Sequence, residues 1–356
     1  MKIGILTLHY GFNYGGVLQA FALKSFLESA GHRVKIIDRL PDCFPRTKYR
    51  LKKRFAYPLL HPEFTSFARR FLRDFTASAF DTATLIDICR KEAFDAIVVG
   101  SDQVWRKEVF SVGNDYFLEF CDRLKCRRIA YAASLGIDTW NRDAQETEAM
   151  ARNLKKFDAI SVREITSVDL LERHCGVDSV CLLDPVLLAG REAFAPLLKA
   201  ASDSLRGKVV VYVLDPASQT GLEEHIRNYP ADRLLPLLPL RRKKKTSLWS
   251  RLTAHRFSVP EWVAAIAGAD KVITDSFHGT AFSLLFGRNF AVLENPARGL
   301  ARIRSLLDGC GLSDRICRNP AEAAEVLNRG IDWERTERVL REERKRAANF
   351  LGDALK

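Results

Sequence analysis

At 356 residues the chain exceeds the length at which a single hydrophobic core usually stops growing, so two domains of roughly 150 to 200 residues are expected. A hydrophobic share of 47% with 28% charged residues excludes a disordered or fibrous chain. The net charge of +12 is concentrated in two segments, nine Lys/Arg against Glu63 over 46–73 and seven against no acid over 241–256, so the rest is slightly acidic and nucleic acid is not an expected partner.

The eight cysteines are scattered without a CxxC pair, which argues for reduced thiols and against structural zinc. No metal or cofactor is expected. The apolar run in residues 1–8 is too short for a secretory signal, and no run of about 20 apolar residues could span a membrane. The expected compartment is the cytoplasm.

Strand and helix patterns alternate through the first half, which predicts a doubly wound parallel sheet covered on both faces. Residues 2–8 read as a strand, 15–30 as a helix stopped by Gly31, and 34–38 as the next strand. Further strands are predicted at 95–100, 128–133, 157–162 and 180–184. A basic insertion at 40–90 interrupts this rhythm, and Phe64, Phe67, Phe71 and Phe75 within it are spaced to bury one aromatic helix face on the first domain. A second strand series begins at 207–214 and continues at 271–274 and 289–293, with helices at 260–267, 279–286 and 301–307. The predicted architecture is α/β with two Rossmann-like domains, 1–195 and 205–330, facing a cleft, and a charged helix at 332–356 that packs back on the first.

Ligands of such domains sit beyond the carboxyl ends of the strands, so the loops there hold the candidate residues. After the first strand, Asn13, Tyr14, Gly15 and Gly16 open a helix where a ligand could approach the backbone, although a tight turn alone would also need these glycines. Neither a dinucleotide fingerprint nor a Walker lysine is present. In Gly100-Ser101-Asp102-Gln103-Val104-Trp105, Asp102 is placed as a general base or sugar-hydroxyl acceptor, or else as a turn residue, and Trp105 stacks on a sugar or fills the core. Arg163 is poised to clamp a phosphate or carboxylate, or to pair with Glu164. In the second half, His278 begins a mostly apolar helix, where unpaired N–H groups favour an anion.

Taken together, Asn13-Tyr14-Gly15-Gly16-Val17-Leu18, Gly100 to Trp105, Ser161-Val162-Arg163-Glu164, Asp184-Pro185-Val186 and Thr274-Asp275-Ser276-Phe277-His278-Gly279 resemble the polysaccharide pyruvyl transferase family over residues 1 to about 312. The resemblance implies a fold similar to the GT-B glycosyltransferases. It also implies transfer of pyruvate from phosphoenolpyruvate onto two hydroxyls of a cell-surface glycan, or its lipid-linked precursor, as a cyclic ketal. His278 and Asp102 would then be the acid/base pair. Arg163, Ser276, Phe277, Gly279, Arg288 and Arg302 would surround the donor, and Asn13, Tyr14, Gly15, Gly16, Gln103 and Trp105 the acceptor.

Members with demonstrated pyruvyl transfer tend to carry Arg-Leu-His where this chain has Ser276-Phe277-His278. Without that arginine the donor loses a charge-assisted contact worth about 1.5 to 3 kcal/mol, for which Arg288, Arg298, Arg302 or Arg304 are the candidate replacements. A GT-B-like glycosyltransferase using a nucleotide sugar is the competing expectation. Arg241 to Leu252 combines cations with Leu248 and Trp249, as suits either peripheral association with an anionic membrane or a surface loop near an anionic substrate.

Overall fold

The computed structural model describes residues 1–9, 13–40, 57–107, 114–215, 219–237, 257–295 and 299–356. The densest basic stretches, 46–54 and 241–256, lie outside these residues, as does Arg298. The chain divides into two compact units.

The first unit comprises Met1–Ala56, Ala68–Ala189 and Glu342–Lys356. Its strands are β1 (Lys2–Leu6), β2 (Arg33–Ile36), β3 (Ala96–Val99), β4 (Arg127–Ala133), β5 (Ala159–Val162) and β6 (Val180–Cys181), paired in parallel in the order β2-β1-β3-β4-β5-β6. Successive residues of a strand point to opposite faces, and the core divides accordingly. Ile3, Ile5, Ala96 and Val98 share one apolar cluster, whereas Leu6, Ile97 and Val99 belong to another. The first cluster is filled by Leu23 and Leu27 of α1 (Tyr14–Ser29) and by Ala347, Leu351 and Ala354 from the last turns of the terminal helix Trp333–Ala354. The second is covered by α2 (Thr82–Glu92), α3 (Ala144–Leu154) and α4 (Ile165–Cys175).

The second unit comprises Tyr57–Phe67 and Gly190–Arg341. Its strands β7 (Val209–Tyr212), β8 (Leu234–Pro236), β9 (Lys271–Thr274), β10 (Asn289–Leu293) and β11 (Ile316–Cys317) form a second parallel sheet, ordered β11-β10-β9-β7-β8. Helices α5 (Val259–Ala267), α6 (Phe277–Phe286), α7 (Ala301–Cys310) and α8 (Pro320–Val326) accompany it. All ten residues of α6 are buried, and its Phe282 meets Trp262 edge-on at 5.2 Å. That burial explains why the helix carries no Asp, Glu, Lys or Arg on any face.

Both sheets share one topology: the first strand lies between the second and the third. Chain connections therefore leave in opposite directions at the β1/β3 boundary and again at the β7/β9 boundary, and at such a switch point the loops part to leave a crevice. The start of α1 with Gly16 and the loop with Asp102 follow β1 and β3. The loop with Asp215 and the start of α6 with His278 follow β7 and β9.

The four phenylalanines of the insertion do not share one helix. Helix Pro62–Phe67 gives way to a π-helical turn at Ala68–Leu72, and the chain then turns at Arg73 with φ 46°. A π-turn widens the repeat and breaks the three-and-four spacing. Phe64 and Phe67 consequently belong to the second unit, where their helix packs on α5, whereas Phe71 meets Phe21 edge-on in the first. The short strands β8 and β11 have no counterpart among the predicted elements.

Leu351 is 1% exposed in the first core, although it arrives on a highly charged helix. Leu351→Ala is expected to lower the unfolding free energy by about 2–5 kcal/mol in urea titration. Asn349→Ala, on the exposed side, should change it by less than about 0.5 kcal/mol. Equal effects would contradict this assignment of the core face.

Candidate functional site

In the first unit the site is built around Asp102, just past β3. Its φ of 69° lies in the left-handed region, which Asp tolerates better than most residues. The Asp102 carbonyl accepts from Val104 N–H at 2.9 Å and Ser134 N–H at 3.0 Å, which fastens the loop to the end of β4. Oδ1 accepts from the adjacent Gln103 N–H at 2.9 Å and from Arg163 Nη2 at 3.4 Å. Among the described residues Oδ2 has no hydrogen-bond partner. It faces the start of α1, where a methyl placed on Gly16 would lie 3.5 Å from Oδ2 and 2.9 Å from the Leu8 carbonyl. The conflict is with Leu8, so Gly16 lets α1 start close against the chain leaving β1, with Asp102 bordering it at ordinary contact distance.

Beneath Asp102 lies Arg163, whose side chain is 0% exposed. Nη1 pairs with Asp184 Oδ2 at 3.0 Å, and that same oxygen accepts the Ser101 hydroxyl at 3.1 Å. Burial opposes the charged guanidinium, but Asp102, Asp184 and Glu164 outweigh it and raise the pKa of Arg163 above its ordinary value. Glu164 is occupied elsewhere: its Oε1 accepts from Ser134 Oγ, Gly136 N and Ser167 Oγ at 2.8–3.1 Å. Arg163 thus supports Asp102 from below.

Around them, Asn13 caps α1 by accepting the Gly15 N–H at 2.9 Å, and Tyr14 and Gly15 are buried in its first turn. Gln103 packs against Gly136, where a methyl would come within 2.1 Å of Nε2. Trp105 lies in the core, 1% exposed, with its indole N–H on the Tyr116 carbonyl at 2.9 Å and its ring stacked on Phe117. Its hydrogen bond and ring face are used internally, so sugar stacking is set aside for Trp105.

In the second unit the site is the start of α6. Ser276 is the N-cap, and its hydroxyl accepts the Gly279 N–H at 3.4 Å. A serine suits this position because it satisfies an N–H that the helix itself leaves unpaired. Phe277 is the first helical residue, and His278, 7% exposed, is the second, its ring perpendicular to that of Phe277 at 5.3 Å. A methyl on Gly279 would lie 2.3 Å from Thr274 Oγ1, so this glycine lets α6 close onto β9.

Arg288 stands apart from this group. It follows the C-terminal end of α6, where Nε donates to the Phe286 carbonyl at 2.9 Å. A helix of ten residues is about 15 Å long, so Arg288 is not the replacement for an arginine beside His278. Burial, reinforced by Arg191 and opposed by Asp270, lowers its pKa from the usual guanidinium value. Arg302, by contrast, is the second residue of α7, which follows β10 at the same carboxyl edge as His278. Arg304 pairs with Glu294 at 3.3 Å.

Asp275 joins the site although it is not among the residues singled out by sequence. This acid directly follows a buried strand, the same signal that marks Asp102. Its Oδ1 accepts the Leu214 N–H at 2.7 Å, and its Oδ2 accepts from Asp215 N–H at 3.2 Å and Asn295 Nδ2 at 2.8 Å. Among the described residues no group of three or more His, Cys, Asp or Glu side chains could hold a metal ion.

A profile of the polysaccharide pyruvyl transferase family matches residues 13–296. No curated protein matches the chain. Among solved structures, UDP-GlcNAc 2-epimerase from Neisseria meningitidis bound to UDP-GlcNAc is similar over 100% of this chain and 99% of its own, with 12% identity and a TM-score of 0.55. UDP-N-acetylglucosamine 2-epimerase from Rickettsia bellii has 11% identity over 99% of this chain and 96% of its own, at a TM-score of 0.53. The epimerase from Methanocaldococcus jannaschii in complex with UDP-GlcNAc and UDP has 12% identity over 96% and 99%, at 0.51. At these identities the likeness is one of fold, a GT-B-type pair of α/β units.

Arg163→Ala would leave the buried carboxylate of Asp184, and the partly exposed one of Asp102, without their shared cation, and a loss of about 3–5 kcal/mol in chemical denaturation is expected. Gly279→Ala forces a methyl against Thr274 and should cost about 1–3 kcal/mol. Wild-type stability in either variant would contradict the corresponding contact.

Proposed function

The chain belongs to the polysaccharide pyruvyl transferase family, and from that premise we propose that it transfers a pyruvyl group from phosphoenolpyruvate to two hydroxyls of a sugar in a polysaccharide or its lipid-linked precursor, forming a cyclic ketal. The observation that supports this beyond family membership is Asp102. One of its carboxylate oxygens is anchored and the other is unbonded among the described residues, at the carboxyl edge of β3 and beside the switch point. A carboxylate so held is suited to accept a proton from a sugar hydroxyl.

The chemistry requires a proton at the methylene carbon of phosphoenolpyruvate, which leaves C2 electrophilic. One hydroxyl oxygen adds to C2, the C2–O bond to phosphate breaks, and the second hydroxyl closes the ring. Two hydroxyl protons are released. One balances the proton gained by the methyl group, and the other leaves with phosphate as its hydrogen phosphate dianion. In this reading Asp102 takes the proton of an acceptor hydroxyl. His278, at the N-terminus of α6, serves the donor as acid or phosphate contact, and the positive end of that helix favours the same anion. Ser276 contributes by capping α6, Gly279 by letting it pack, and Arg302 is the cation assigned to the donor's charge. Asn13, Gly16 and Gln103 border Asp102 on the acceptor side. Arg163 acts through Asp102.

The same reading places the protein in the cytoplasm, with Arg241 to Leu252 meeting anionic lipid where a lipid-linked acceptor is presented. Among the described residues no helix is long and apolar enough to cross a membrane. Co-sedimentation with anionic but not neutral vesicles at low salt is expected, and no binding to either would remove the lipid contact.

Ligand-induced stabilisation separates the donor classes. Phosphoenolpyruvate at 100 times its Kd should stabilise the folded chain by about 2.7 kcal/mol, whereas UDP-GlcNAc should not. The reverse result would replace pyruvyl transfer with nucleotide-sugar chemistry. With a competent acceptor, Asp102→Asn and His278→Asn are each expected to slow phosphate release by about 10²–10⁴-fold. Full turnover in either variant would remove that residue from the mechanism.

A further inference from the structure

Asp275 is 3% exposed, and its carboxylate ties together the chain leaving three neighbouring strands. Val211 and Tyr212 of β7 lie in register with Ile273 and Thr274 of β9, and one residue later the two chains begin to part. Asp275 is that next residue on β9. Across the parting it receives both Leu214 N–H and Asp215 N–H, one on each oxygen. On its other side it receives Nδ2 of Asn295, itself 2% exposed and two residues beyond β10.

We infer that Asp275 is a positioning residue, one that fixes the N-terminus of α6, and with it His278, relative to the chain leaving β7 and β10. The inference rests on the reading of His278 as a donor contact.

The link from Asp275 to His278 is short. Ser276 follows directly and caps α6. Its own N–H is held by Thr274 Oγ1 at 3.1 Å, and Thr274 in turn donates to the Tyr212 carbonyl at 2.6 Å. Residues 274 to 276 therefore bind β7 through Thr274 and the chain leaving β7 through Asp275, before the helix begins. Two stretches of unpaired chain would otherwise meet here, because β7 and β9 part at a switch point. Only an acceptor-only side chain satisfies three donors at once, and an asparagine would turn an N–H₂ group toward one of them.

Electrostatics gives the inference a testable sign. Phosphoenolpyruvate carries several negative charges, so a carboxylate within a few residues of its contact repels it. If Asp275 mattered as a charge alone, its removal would tighten donor binding. If it positions α6, its removal weakens binding in spite of the relieved repulsion.

Hydrogen–deuterium exchange on the full chain without ligand tests the geometry directly. In Asp275→Asn, faster exchange is expected at Leu214 and Asp215 and also through residues 276–280, with β1 and β3 unchanged. Acceleration confined to 214–215, or none, would overturn the inference. Titration with phosphoenolpyruvate supplies the second arm. A Kd at least tenfold weaker in Asp275→Asn is expected, with little further loss when His278→Asn is already present, since the two act through one contact. Tighter binding, or equal losses in both backgrounds, would overturn it. If the wild-type chain does not bind phosphoenolpyruvate, the pyruvyl reading fails and the exchange result still decides the role of Asp275. Should Asp275→Asn fail to fold, Asn295→Ala removes one of the three hydrogen bonds. It is expected to accelerate exchange over 276–280 more weakly, and unchanged exchange there would count against the inference.

Discussion

A guanidinium with no exposed surface must be paired, because an uncompensated buried charge costs several kcal/mol. Arg163 meets that requirement with Asp184 at 3.0 Å and Asp102 at 3.4 Å, and much of the first unit's carboxyl edge follows from it. Arg163 directly follows β5, Asp102 follows β3, and Asp184 lies beyond β6, so one buried ion cluster gathers the ends of three strands. Glu164 extends the same network to the chain leaving β4, through Ser134 and Gly136. Of the three ion-paired side chains only that of Asp102 keeps exposed surface, 16% of its area. The arginine holds Asp102 and Asp184 together, and in the proposed reading the proton-accepting group is the Asp102 carboxylate.

The second unit reaches a comparable result with different chemistry. Among the described residues no arginine lies beneath the start of α6 in the way Arg163 lies beneath Asp102. Backbone N–H groups and the Asn295 amide converge instead on Asp275. In both units a strand order that reverses beside the first strand opens the loops, and a buried carboxylate network keeps them in place. The repetition is one of topology rather than of sequence, which is why no internal repeat is visible in the amino-acid sequence.

Long periodic segments are legible in the amino-acid sequence alone. The strands at 271–274 and 289–293 and the helices near 14–29 and 259–267 fall where apolar runs, glycine stops and caps place them. The short strands β8 and β11 escape such reading because their pairing comes from neighbours rather than from pattern. Loop residues are legible as positions but less so as roles. Asp102 reads as an acid past a strand, and it is one. Trp105 reads equally as a sugar platform or as core, and only its stack on Phe117 decides between them. Arg288 resembles a substitute for a missing arginine because it is ten residues from His278 in sequence, yet those residues are nearly a whole helix. Ser276, the departure from the family's arginine, is the N-cap that α6 requires. A cap is a local pattern, and here the expectation of a charge hides it.

In ketal formation a pyruvyl unit gains one proton at its methylene carbon and two bonds to sugar oxygen. Turnover of phosphoenolpyruvate and an acceptor glycan in deuterium oxide tests all three events at once, with the product read by mass spectrometry and NMR. The predicted product is a ketal whose methyl group carries one deuterium, formed with one phosphate released per ketal. Phosphate released without a ketal, or a methylene group retained in an enol ether product, would contradict pyruvyl transfer by this route.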